Sequence, residues 1–160
     1  MAFADGQSSR DTVRVFSKIV VAYDDSPGAR RALQIGADLA QHPGAELIAV
    51  AVEAHLPHYG ATVGEVEEER AVEEQACQRW LRAAEAYADE RGIKLRTAIV
   101  AGHPAEKLVH AAQEHGADLL ILGHSGHSAI WGRFLGSTVE KVSRHATCSV
   151  LIAAPPEGRT

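Results

Sequence analysis

Short apolar runs alternate along this chain with longer stretches whose apolar residues recur every three or four positions. Residues 18–23 (Lys-Ile-Val-Val-Ala-Tyr) form a short, β-branched apolar run and read as a buried strand. Asp24-Asp25-Ser26-Pro27-Gly28 breaks it; Ser26 suits an N-cap and Pro27 the first helical position, so a helix is predicted to about Gln41. Its apolar face is Ala32, Leu33, Ile35, Gly36, Leu39 and Ala40, and His42-Pro43-Gly44 ends it. A second buried strand is predicted over 47–52, then a Gly-, Pro- and His-containing loop over 53–64. The longest helix is predicted from about Val66 to Arg91, with Ala76, Trp80, Ala84, Tyr87 and Ala88 on one face. Strands over 94–100, 119–122 and 149–153 then alternate with helices over 105–115 and 138–146.

This β-α-β-α-β-α-β-α-β order predicts a single α/β domain: an open parallel five-stranded sheet with helices on both faces, Rossmann-like, joined by right-handed crossovers. The domain is placed at 16–154, with a flexible tail at 1–15 and a second tail at 155–160. In such sheets ligands bind beyond the C-terminal ends of the strands. Asp24, Glu53, Gly102 and Gly123 each follow such an end, so four segments are expected to converge on one site.

Composition narrows the possible partners. The net charge is −5 without a basic run, which gives a nucleic-acid partner little electrostatic support. No apolar run approaches the ~18 residues of a membrane span, and residues 1–17 lack the apolar core of a signal peptide. Cys77 and Cys148 follow no ligand spacing and read as reduced thiols of a cytoplasmic protein. The cluster Glu67, Glu68, Glu69, Glu73 and Glu74 reads as a solvated helix face near a positive helix end, with an acidic partner site as the alternative.

The candidate chemistry lies after the fourth strand. Gly123, Gly126, Gly136 and Ser137 spell G-x2-G-x9-G-S between a strand and a helix. Glycines let a ligand approach the backbone closely, and the helix start offers unpaired N–H groups to an anion. Each residue also has a structural reading. Ser137-Thr-Val-Glu140 matches a capping box, and Asp24 can make an Asx-turn into the first helix. Trp131, Phe134 and Leu135 can stack on a base or anchor the loop; Arg133 and Lys141 can reach phosphate or simply face solvent. His103, His124 and His127 invite a metal reading, but no pair at helical ligand spacing accompanies them.

With these motifs, the chain resembles the universal stress proteins of the ATP-binding type. The resemblance runs from about Phe16 to Ala153. It covers Val20-Val-Ala-Tyr-Asp24-Asp-Ser26, Gly102-His-Pro104, the glycine loop, and the closing segment from Gly136 to Ile152. It implies strand order 3-2-1-4-5 and a homodimer paired through the last strand, residues 149–153. It also implies ATP, with Mg2+, as ligand. Gly123, Gly126, Gly136, Ser137 and Thr138 would hold the ribose and phosphates, with Asp24 and the backbone near Ala51 at the adenine. A nucleotide-dependent regulatory role toward a downstream protein is implied, with hydrolysis slow at most: no water-activating base and no G-x4-G-K-[ST] lysine stands out. The family's hydroxyl-then-basic order after the first glycine is reversed here as His124-Ser125. The alternatives are a stress-linked interaction module of the same fold without nucleotide, and a nucleotidylyl transferase acting through His124-Ser125-Gly126-His127.

Overall fold

The computed structural model describes residues 16–54, 62–124 and 136–154. Among them run β1 (Lys18–Ala22), α1 (Pro27–Leu39), β2 (Glu46–Glu53), α2 (Val63–Asp89), β3 (Leu95–Ala101), α3 (Pro104–Glu114), β4 (Leu119–Gly123), α4 (Ser137–His145) and β5 (Ser149–Ala153). All strand pairs are parallel, and the order is β3-β2-β1-β4-β5, as the resemblance implied.

Strand alternation divides the core into two layers. Ile19, Val21, Leu47, Ala49, Ala51, Leu119 and Ile121 point to one face, where α1 and α2 cover them. Val20, Ile48, Val50, Leu120 and Leu122 point to the other, against Leu108 and Ala111 of α3 and Val139 and Val142 of α4. A strand buried on both faces has no polar position to spare, which is why the central strands read as continuous apolar runs. Asp118 fastens the lower edge: its carboxylate accepts from the Ser17 and Lys18 N–H groups at 2.8 and 3.0 Å, tying β1 to β4.

The helix faces differ in detail from the sequence reading. On α2 the buried stripe is Cys77, Leu81, Ala84 and Ala88, whereas Ala76, Trp80 and Tyr87 flank it, half-buried. Cys77 and Leu81 complete the four- and three-residue spacing that Ala84 and Ala88 begin. The helix also starts earlier than Val66. Thr62 caps it, and Glu65 returns a bond to the Thr62 N–H at 2.7 Å, a capping box that overrides the weak propensity of Gly64. On α1, Gly28, Ala29 and Ala37 join the buried face, while Ile35, Leu39 and Ala40 lie at its margin.

The small residues at the start of α1 have a specific cause. A Cβ on Gly123 would lie 2.5 Å from the Gly28 carbonyl oxygen and 2.6 Å from the Ala29 nitrogen. A Cβ on Gly28 would in turn lie 2.6 Å from the His124 carbonyl oxygen. The first turn of α1 thus rests backbone-to-backbone on the end of β4. We expect Gly123→Ala to cost about 1–3 kcal/mol in urea unfolding through overpacking. Gly64→Ala, which meets only open space in a helix, should gain ~0.5 kcal/mol. Equal stability of the two variants would contradict this contact.

Candidate functional site

A cavity of about 500 Å3 opens at the C-terminal edge of the sheet. Five of the residues singled out in the sequence line it together: Asp24, Gly123, Gly136, Ser137 and Thr138. Its apolar wall includes Val50, Val52, Trp80, Leu108 and Leu122. Ala54 and Pro104 line it where Glu53 and Gly102 were expected. Gly126, with Ser125, His127, Trp131, Arg133, Phe134 and Leu135, lies outside the described residues.

The side chain of Ala51 is not on the cavity lining, although the backbone near it was the expected contact. It is fully buried with Ala49 and Leu47 under the α1–α2 layer. Strand parity is the reason: its neighbours Val50 and Val52 point to the opposite face and line the cavity in its place. The alternation within β2 carried that signal.

Asp24 sits in a tightly braced turn. Its Oδ1 accepts from the Ser26 N–H at 3.1 Å, forming the Asx-turn, and Ser26 Oγ then caps α1 by accepting from Ala29 N–H at 3.2 Å. Asp25 adopts φ 59°, the left-handed conformation that costs most residues energy but that Asp tolerates. Side chains hold it there. The Tyr23 hydroxyl donates to Asp25 Oδ1 at 2.9 Å, and Arg30 grips both carboxylate oxygens at 2.9 and 3.0 Å. These bonds leave Asp24 exposed beside the cavity. Sequence reading missed Tyr23, Asp25 and Arg30 as a unit, although an acid and a base five residues apart across a helix start was a visible signal.

The Arg30 hydrogen bond holds the Asp25 carboxyl below its ordinary range. Burial, then the bond to Asp25, pushes the Tyr23 phenol up to about 12. Burial raises both thiols, and Cys77 and Cys148 are free.

The start of α4 corrects the capping expectation. Gly136, not Ser137, is the N-cap, and no side chain caps the helix. Glu140 N–H donates to the Gly136 carbonyl at 3.0 Å, while the Glu140 carboxylate takes Arg144 at 2.7 Å instead of reaching back. Ser137 is therefore the first helical residue, and the Ser137, Thr138 and Val139 N–H groups have no partner among the described residues. Gly136 has φ −52° and ψ 152°, open to any residue, so a positive φ is not its reason for being glycine. For Gly123 the reason is the contact with α1. His124 follows β4, with its N–H on the Ala153 carbonyl at 2.9 Å.

The cavity therefore combines an apolar wall, one exposed carboxylate and an uncapped helix start with positive partial charge. That set suits a flat apolar group with hydroxyls and an anionic end. The sequence pattern of the Universal stress protein family matches residues 16–154. The chain belongs to the universal stress protein family. It is 34% identical over 138 residues to a universal stress protein of Thermus aquaticus, covering 86% of this chain and 98% of that one. Universal stress protein UspA of Lactobacillus plantarum superposes with a TM-score of 0.77 at 26% identity, over 88% of this chain and 99% of that one. A universal stress protein solved in complex with cAMP superposes with a TM-score of 0.63 at 29% identity, over 89% and 100% of the two chains. Among the described residues, no helix of this universal stress protein is long and apolar enough to cross a membrane.

The ionised Asp25 stabilises the fold above its ordinary pKa, and that contribution is lost as pH falls through its lowered folded value. Asn accepts the same backbone conformation. We therefore expect Asp25→Asn to be less stable than wild type at pH 7, with the difference shrinking below about pH 4. Urea midpoints between pH 7 and pH 2 measure this; a pH-independent difference would contradict it.

Proposed function

We propose that this universal stress protein binds an adenine nucleotide, ATP with Mg2+, and acts in the cytoplasm as a nucleotide-dependent regulatory module with at most slow hydrolysis. The observation that carries this reading is the uncapped start of α4 opening into a cavity with an apolar wall of Val50, Val52, Leu108 and Leu122. Phosphates take the Ser137, Thr138 and Val139 N–H groups, and Gly136 lets them approach the backbone. The adenine takes the apolar wall of Val50, Val52 and Leu122. Asp24 meets the base or ribose rather than phosphate, because two unit charges of like sign 4 Å apart near a surface repel by ~4 kcal/mol. The relative solved with cAMP supports the nucleotide class. Gly126 extends the phosphate cradle in this reading.

Mass spectrometry on the denatured, purified protein should release an adenine nucleotide, and calorimetry with Mg2+ should register ATP binding. Gly136→Ala should weaken ATP binding while leaving the urea midpoint nearly unchanged. No heat with ATP, ADP or AMP would remove the reading.

We propose further that β5 pairs with a second copy. It lies at the sheet edge with Ser149 exposed and Val150, Leu151 and Ile152 half-buried, an apolar edge that needs covering. The bound nucleotide then acts on a downstream protein through this assembly. Light scattering should give twice the mass of one chain, and a monomer would contradict the seam.

A further inference from the structure

A second groove, of about 490 Å3, lies between α3 and α4. His103, which precedes α3, and Glu106 and His110 of α3 line it, with Lys141 and His145 of α4. It meets the cavity described above at Pro104, Ser137 and Thr138, which line both. None of the five titratable side chains makes a hydrogen bond or ion pair among the described residues. Elsewhere on α4 the charges are used: Arg144 pairs with Glu140. The groove's inventory is weighted to donors. A lysine ammonium carries three and accepts none, and each imidazole offers an N–H. The first turn of α3 adds the Ala105 and Glu106 N–H groups, since His103 supplies no side-chain cap. Glu106 is the one carboxylate on the lining. Among the described residues no three His, Cys, Asp or Glu side chains are arranged to share a metal, so the ligand matched is acceptor-rich rather than a bare cation.

We propose that this groove receives the terminal phosphates of a nucleotide whose base and sugar fill the adjoining cavity, and so selects triphosphates over monophosphates. The proposal rests on the nucleotide reading above, which seats phosphate at the start of α4, and it follows the phosphates beyond that point. Phosphates seated at Ser137 and Thr138 continue along α4 toward Lys141, one turn on, and His145, a turn further. Lys141 attracts the chain of charges and Glu106 opposes it, so the two residues pull triphosphate affinity in opposite directions. A monophosphate ends before reaching either.

The test is calorimetry of ATP and of AMP in EDTA, so that no divalent cation masks the charges. Wild type, Lys141→Gln and Glu106→Gln are compared; both residues are exposed and unpaired, and both variants should fold. Lys141→Gln should weaken ATP binding roughly two- to fivefold, and Glu106→Gln should strengthen it by a similar factor, the range of single exposed charge pairs. AMP affinity should move in neither. A merely structural role for either residue would not give opposite signs confined to one ligand. ATP affinity unchanged in both variants, or ATP and AMP shifting together, would overturn the groove assignment while leaving nucleotide binding intact. Failure of wild type to bind either nucleotide would overturn the underlying reading, and the groove assignment with it.

Discussion

The backbone contact between Gly123 at the end of β4 and Gly28 in the first turn of α1 sets the geometry of the functional edge. It brings the α1 start against the β4 end with no side chain between them. Residue 123 cannot carry a Cβ without pushing α1 away, and the push would displace the Asp24 turn that leads into it. Tyr23, Asp25 and Arg30 brace the same turn from the other side, holding a left-handed Asp25 that the backbone alone disfavours. The candidate site is thus framed by a contact of main chain on main chain and a hydrogen-bonded turn. A framework of this kind lowers the ordering cost of binding.

The parallel sheet decides which groups face that site. One residue in two along β2 points toward α3 and α4, so Val50 and Val52 line the cavity while Ala51 is sealed beneath α1 and α2. The chain leaves α4 without a side-chain cap, whereas Ser26 caps α1 and Thr62 caps α2. The starts of α3 and α4 both lack a side-chain cap, and Pro104 and Ser137 at those starts line the cavity. The neighbouring groove between α3 and α4 continues this donor-rich surface, which gives an extended anion one connected path.

Much of the fold was legible because periodicity is a local signal. The β5 boundaries, the alternating order of elements, and the placing of Asp24 and Gly123 at one edge follow from it, while Gly136, Ser137 and Thr138 are marked by the glycine spacing and the family resemblance. What escaped depends on partners far along the chain or on a competition between equal local choices. Gly136 rather than Ser137 is the N-cap of α4, where its carbonyl takes the Glu140 N–H, and the Glu140 carboxylate pairs with Arg144. The role of Gly123 was read as room for a ligand, whereas its nearest constraint is a helix almost a hundred residues earlier in the sequence. The side chain of Ala51 is sealed by strand parity, so near it the cavity meets the side chains of Val50 and Val52. The α2 face read from the sequence includes the buried Ala84 and Ala88 but passes over Cys77 and Leu81, which hold the other buried positions.

We propose that the open N–H groups at the start of α4, beside the braced Asp24 turn, receive the phosphates of a nucleotide. An amide 1H–15N titration with ATP and Mg2+ tests it residue by residue. The largest shifts are expected at Ser137, Thr138 and Val139, with smaller ones at Asp24 and Gly123 and none on the far side around Thr97 and Ile99. Shifts confined to that far side, or absent at residues 137–139 under saturating ATP, would contradict the account.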